Sequence, residues 1–85
     1  MTSEGTGSAM RAVVEVVARA LVDRPDEVHV TESERRGMTV VELSTAPGDM
    51  GKIIGRQGRT AAALRTLVSL TAEQQGTRAQ LDIRD

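Results

Sequence analysis

Apolar residues recur along this chain in distinct rhythms, and each rhythm predicts an element. Met10, Val13, Val14, Val17 and Leu21 return every three or four positions, with Arg11, Glu15 and Arg19 on other faces. That is the repeat of a helix burying one side, and Val16 widens its stripe. Ser8 suits the N-cap, and Pro25 pushes the residue before it out of helical backbone. A first helix is therefore predicted from Ser8 to Asp23. Val28-His29-Val30-Thr31 alternates apolar and polar residues, as a half-buried strand does, with His29 outward. Glu32 to Gly37 is charged and ends in glycine, a hairpin connection. Met38 to Thr45 is rich in β-branched residues and reads as a second strand, Val41 and Leu43 inward.

The second half changes rhythm. Ala46-Pro47-Gly48-Asp49 breaks the strand; Pro47 suits the first turn of a helix and Asp49 its positive end. Met50 to Ile54 is long enough for one or two helical turns, and Gly55-Arg56-Gln57-Gly58 interrupts it. A third helix is predicted from near Arg59 to Gln75, with an inner stripe of Ala61, Leu64, Leu67, Val68 and Thr71 and Gly76 as its C-cap. Ala79, Leu81 and Ile83 then alternate with Gln80, Asp82 and Arg84, the cleanest strand signal in the chain. The order helix, strand, strand, helix, helix, strand implies an α+β sandwich with helices on one side of a three-stranded sheet. Strands one and two form an antiparallel hairpin. The segment from Pro47 to Arg78 is long enough for a crossover, so strand three can lie parallel to strand two.

Length and composition narrow this picture. The 85 residues make a single small domain, read as a disordered tail over residues 1–7 and a folded unit over 8–85. With no cysteine and one histidine, disulfides and the usual zinc sites are excluded. Residues 1–8 have neither a basic start nor an apolar stretch, so no signal peptide is expected, and no apolar run approaches the length of a membrane helix. A cytoplasmic protein without membrane attachment is the expectation.

Charge matters more for where it lies than for its sum. The net charge is −1, yet between Asp49 and Glu73 every charged residue is positive: Lys52, Arg56, Arg59 and Arg65. The glycine loop sits inside that window. Gly55 and Gly58 permit positive φ and close approach of another backbone, and Gly58 precedes a helix whose first N–H groups and dipole favour an anion. Arg56 and Gln57 must point outward, and Lys52 and Arg59 flank them. The combination suits a phosphodiester chain laid across the loop, with bases on the aliphatic surface beside it. The chain contains no Phe, Tyr or Trp, so aromatic stacking platforms are excluded. An enzyme is not expected. The spacing Gly51-x3-Gly55-x2-Gly58 fits neither the Walker A loop nor the dinucleotide fingerprint, and no carboxylate pair or serine–histidine set stands out. Neither a cofactor nor a small-molecule substrate is implied.

Ile53-Ile54-Gly55-Arg56-Gln57-Gly58 resembles the V/I-I-G-x-x-G signature of KH domains, whose loop clamps a nucleic-acid backbone. The element order matches the type II arrangement. The longer string from Asp49 to Ala61, continuing through Leu64-Arg65-Thr66-Leu67-Val68, is similar to the short bacterial single-KH-domain proteins of the KhpA (YlqC-like) family. The resemblance runs from the first helix to Ile83. It implies single-stranded RNA binding of low base specificity, as in an RNA chaperone or post-transcriptional regulator. Gly55, Arg56, Gln57 and Gly58 would be the clamp, Ile53 and Ile54 would pack beneath it, Lys52 and Arg59 would add phosphate contacts, and Thr60 would offer a hydroxyl. It also implies a homodimer, or a heterodimer with another KH-domain protein. A module for protein interaction alone, using the same helical face, is the competing reading. Ala61 departs from the larger aliphatic residue many KH domains carry at this place, which implies a shallower groove floor.

Overall fold

The computed structural model describes residues 5–84. Six principal elements make up the chain: α1 (Gly5–Leu21), β1 (His29–Arg35), β2 (Met38–Ser44), α2 (Met50–Ile54), α3 (Arg59–Gln74) and β3 (Arg78–Arg84). Short 3-10 turns at Pro25–Glu27 and Arg56–Gly58 link α1 to β1 and α2 to α3. The order is the α-β-β-α-α-β expected of a type II KH domain.

Strand order is β1-β2-β3. β1 and β2 are antiparallel, with Val30 opposite Leu43 and Arg35 opposite Met38. β2 and β3 run parallel, with Val41 opposite Leu81. The hairpin is tighter than the charge pattern implied. Only Arg36 and Gly37 lie between the strands, both with positive φ (53° and 78°). A two-residue turn of that mirror-image kind matches the twist of the flanking strands. Residues 32–35 therefore belong to β1 instead of a loop. In that register Glu32 faces the helices opposite Val41, and one of its carboxylate oxygens is buried with no hydrogen-bond partner among the described residues.

The core lies between sheet and helices. Met10, Val14 and Ala18 of α1, Leu64, Val68 and Ala72 of α3, and Ile53 of α2 close over Val30, Val41, Leu43 and Leu81. Burying a leucine or valine of this kind contributes about 1.5–3 kcal/mol. Helical stripes are narrower than the residue pattern suggested, because a single packed neighbour covers only part of each cylinder. Val16 is 69% exposed and Leu21 38%, while Ala18 takes a core place. On α3, Leu67 is 42% exposed and its place inside goes to Ala72. Thr71 is half-buried, and its hydroxyl donates to the Leu67 carbonyl.

Helix ends also differ. α1 begins at Gly5, so Ser8 lies within its first turn and not at its cap; the tail expected over residues 1–7 thus loses residues 5–7 to the helix, and residues 1–4 fall outside the described part. Pro47 precedes α2 in a turn closed by the Asp49 N–H on the Ala46 carbonyl (3.0 Å), with Gly48 at φ 95°. At the other end of α3, Gly76 adopts φ 73°. The Gly76 N–H donates to Glu73 and the Thr77 N–H to Ala72, the paired bonds of a Schellman ending. Among the described residues no helix is long and apolar enough to cross a membrane.

Candidate nucleic-acid interface

α2 ends because Gly55 turns away from helical backbone. Its φ of 76° and ψ of 173° are open to glycine, while its N–H still donates to the Gly51 carbonyl (2.9 Å). A side chain at Gly55 has no room either. A Cβ there would overlap the Thr60 hydroxyl and lie 2.7 Å from the Thr60 Cβ. Thr60, half-buried, thus braces the loop from the first turn of α3.

The tip is a second mirror-image turn. Gln57 (φ 58°, ψ 26°) and Gly58 (φ 73°, ψ 12°) both occupy left-handed backbone. The Arg59 N–H closes the turn on the Arg56 carbonyl, and the Gly58 N–H donates to Gly55 (3.1 Å). Around Gly58 nothing lies within 4 Å of where a Cβ would stand. Glycine is favoured there by conformation alone. The turn lifts Arg56 and Gln57 into solvent. No side chain caps the start of α3, and its first turn carries no acid. Its positive end is therefore directed at whatever lies over the loop.

The predicted site residues gather at this corner, but in unequal states. Arg56, Gln57 and Arg59 are exposed; Gly55, Gly58, Ile54 and Thr60 are half-buried. Ile53 is fully buried and anchors the loop from below, with no surface left to touch a base. Ala61 is also buried, so it presents little surface to floor an open groove. Among the described residues Arg56, Arg59 and Arg65 form no ion pair.

Lys52 differs. Its ammonium lies 3.2 Å from Asp23 and 3.9 Å from Asp49. Asp49 is 4% exposed, and instead of capping α2 its Oδ2 accepts the Arg24 N–H (3.1 Å). Two acids from outside the basic window thus hold the lysine that the window counted as free. Asp23 is 29 positions from Lys52 along the chain, and no local pattern announces the contact. Among the described residues no three histidine or acidic side chains gather as they would around a metal ion.

Known proteins similar to this chain share one family. The family described as "KhpA/KhpB, KH domain" matches residues 11–83. A Halalkalibacterium halodurans protein named RNA-binding protein KhpA is 51% identical over 76 residues, 89% of this chain and 100% of its own length. The Treponema pallidum protein of that name is 49% identical over 73 residues (86% and 91%). The one from Aquifex aeolicus is 45% identical over 76 residues (89% and 96%).

Proposed function

The chain belongs to the KhpA/KhpB family of KH domains, and from that premise we propose that it binds single-stranded RNA at the Gly55–Gly58 loop. The observation that carries the reading is the loop tip. A mirror-image turn presents Arg56 and Gln57 outward beside unpaired Arg59, at the uncapped positive end of α3. Phosphates would lie over Gly55 and Gly58, where the backbone can be approached closely. Arg56 and Arg59 supply charge, Gln57 an amide, and Thr60 a hydroxyl near the helix start. Bases would rest on aliphatic surface, Ile54 being the half-buried isoleucine of the pair. Without aromatic residues the hold on bases is weak and their discrimination poor, which suits an RNA chaperone or post-transcriptional regulator.

Replacing Arg56 and Gln57 together with Asp tests this. RNA binding is expected to vanish while the circular dichroism spectrum and melting curve stay nearly unchanged. Binding that persists undiminished would remove the loop assignment. Titration at several salt concentrations gives a second measure: a log-affinity slope of roughly −1.4, the two arginines contributing about 0.7 each.

A protein partner is the second part of the proposal, and a different observation favours it. Ala63, Leu67 and Leu70 recur at helical spacing on the outward side of α3, with Leu67 42% and Leu70 51% exposed. Such a stripe suits a second KH domain, either another copy or a related chain. Leu67→Asp is expected to leave the fold intact and to hold the protein monomeric in light scattering across a concentration series. A variant that self-associates like the parent would show that α3 is not the seat.

A further inference from the structure

The glycine loop is not the only place where unpaired cations gather. Arg35 stands opposite Met38 on β2, and Met38 opposite Arg78 on β3. The three therefore form one row across the sheet, on the face turned away from the helices. Arg36 projects from the turn beside them. Arg35, Arg36, Met38 and Arg78 line a single open hollow of about 500 Å³. All three arginines are exposed, and among the described residues none forms an ion pair. The acids further along the same face are already engaged. Glu42 pairs with Arg84 (3.5 Å) and Asp82 accepts from Gln80 (3.1 Å). Glu73 lies with Arg78 in the adjoining hollow, toward α3, and Glu34 points to the helix side of β1. Two or three like charges held together cost folding energy unless something neutralises them. Arg36 adds a backbone cost as well, since it holds φ 53° in a turn position where Asn, Asp or Gly is preferred.

We propose that Arg35, Arg36 and Arg78 form a second phosphate-binding site, at the end of the sheet away from the glycine loop, which holds RNA extending beyond that loop. This rests on the RNA-binding reading above. Guanidinium groups match phosphate oxygens in forked geometry, and Met38 between them offers a small apolar surface to a base. The distance sets the length of RNA required. β2 leads from Met38 to Ser44, the end from which the chain passes to α2 and the loop. Six steps at about 3.3 Å put the two sites roughly 20 Å apart along the strand, and passing from the helix side to the outer face of the sheet lengthens the path further. A stacked strand advancing about 3.4 Å per nucleotide needs at least about six nucleotides for that path. A pentamer therefore occupies the loop alone, and a fifteen-nucleotide strand reaches both sites.

The test compares labelled oligouridylates of five and fifteen nucleotides by fluorescence anisotropy. The variant is Arg35→Gln/Arg36→Gly/Arg78→Gln. Its control, Arg11→Gln/Arg19→Gln/Arg24→Gln, removes the same charge elsewhere. Relative to the control, the variant is expected to bind the pentamer within twofold and the fifteen-mer about tenfold more weakly. Its salt slope for the long strand should be shallower by about 2, three contacts at roughly 0.7 each. Arg36→Gly alone, at a position glycine accepts, should give about a third of that slope change in a chain at least as stable as the parent. Equal fifteen-mer affinity in variant and control would overturn the second site while leaving the loop reading intact. Parallel loss for both lengths would overturn it too, by showing a general charge or folding effect. If the parent protein binds neither strand, the RNA reading itself fails and the second site falls with it.

Discussion

The two tight turns of this protein share a backbone and differ in what they leave unused. Arg36-Gly37 and Gln57-Gly58 each pair a non-glycine residue with a glycine, at φ values of 53° and 78° in one turn and 58° and 73° in the other. They hold the only non-glycine residues with positive φ among the described ones. In the hairpin, the flanking residues enter the β1–β2 ladder. In the loop, the same turn delivers the chain into a helix, and a helix start has donors that no neighbouring turn can take. Identical local geometry thus ends in a satisfied backbone in one place and an anion-seeking one in the other. The element that a turn leads into, more than the turn itself, decides whether backbone donors are left over for an anion.

The largest expected contrast tests the glycines. Gly55→Ala meets Thr60 at once and also strains φ, so it should destabilise by about 2–4 kcal/mol and abolish RNA binding. Gly37→Ala meets nothing within 4 Å and should cost only the left-handed penalty, about 1–2 kcal/mol. Urea denaturation of the two variants measures the difference. Equal losses would mean that Thr60 yields and that the loop is less tightly braced than its geometry implies.

A smaller effect separates the cations around the loop. Arg56→Gln should weaken RNA binding several-fold, whereas Lys52→Gln should change it by less than twofold, because Asp23 and Asp49 already hold the ammonium. Asp23→Asn releases Lys52 in part and should raise affinity about two- to threefold, with a salt slope steeper by up to about 0.7. Anisotropy titrations at several salt concentrations read both quantities. If Lys52→Gln proves as damaging as Arg56→Gln, phosphate must displace the carboxylates on binding.

The smallest effect lies in the backbone of the tips themselves. Gln57→Gly should stabilise the fold by up to about 1 kcal/mol, the relief of left-handed backbone less the entropy glycine adds to the unfolded chain. A rise in melting temperature combined with weaker RNA binding would show that Gln57 is held in its strained place by a contact to the ligand. A rise without loss of binding would assign the tip to the turn alone.

Much of this molecule is legible along the chain. The alternation at Ala79, Leu81 and Ile83, the β-branched run ending near Ser44 and the apolar repeat of α1 each report a local period, and a period survives whatever packs against it. The glycine loop is equally legible, since Gly55 and Gly58 mark backbone that other residues resist. Tertiary structure decided the rest. Val16 and Leu67 look inward by spacing but stand exposed, because how much of a helix is covered depends on its neighbours and not on its own residues. The basic window from Lys52 to Arg65 is free of acids only in one dimension. Asp23 reaches Lys52 through the fold, joining Asp49 three positions away on the same helical turn, and cross-strand register brings Arg35 and Arg78 to either side of Met38 although 43 positions separate them in sequence. The sequence alone therefore determined the elements and the corner proposed to hold RNA. Which charges at that corner remain free, and which distant ones join a second cluster, came only from folding, because electrostatics acts through space while periodicity acts along the chain.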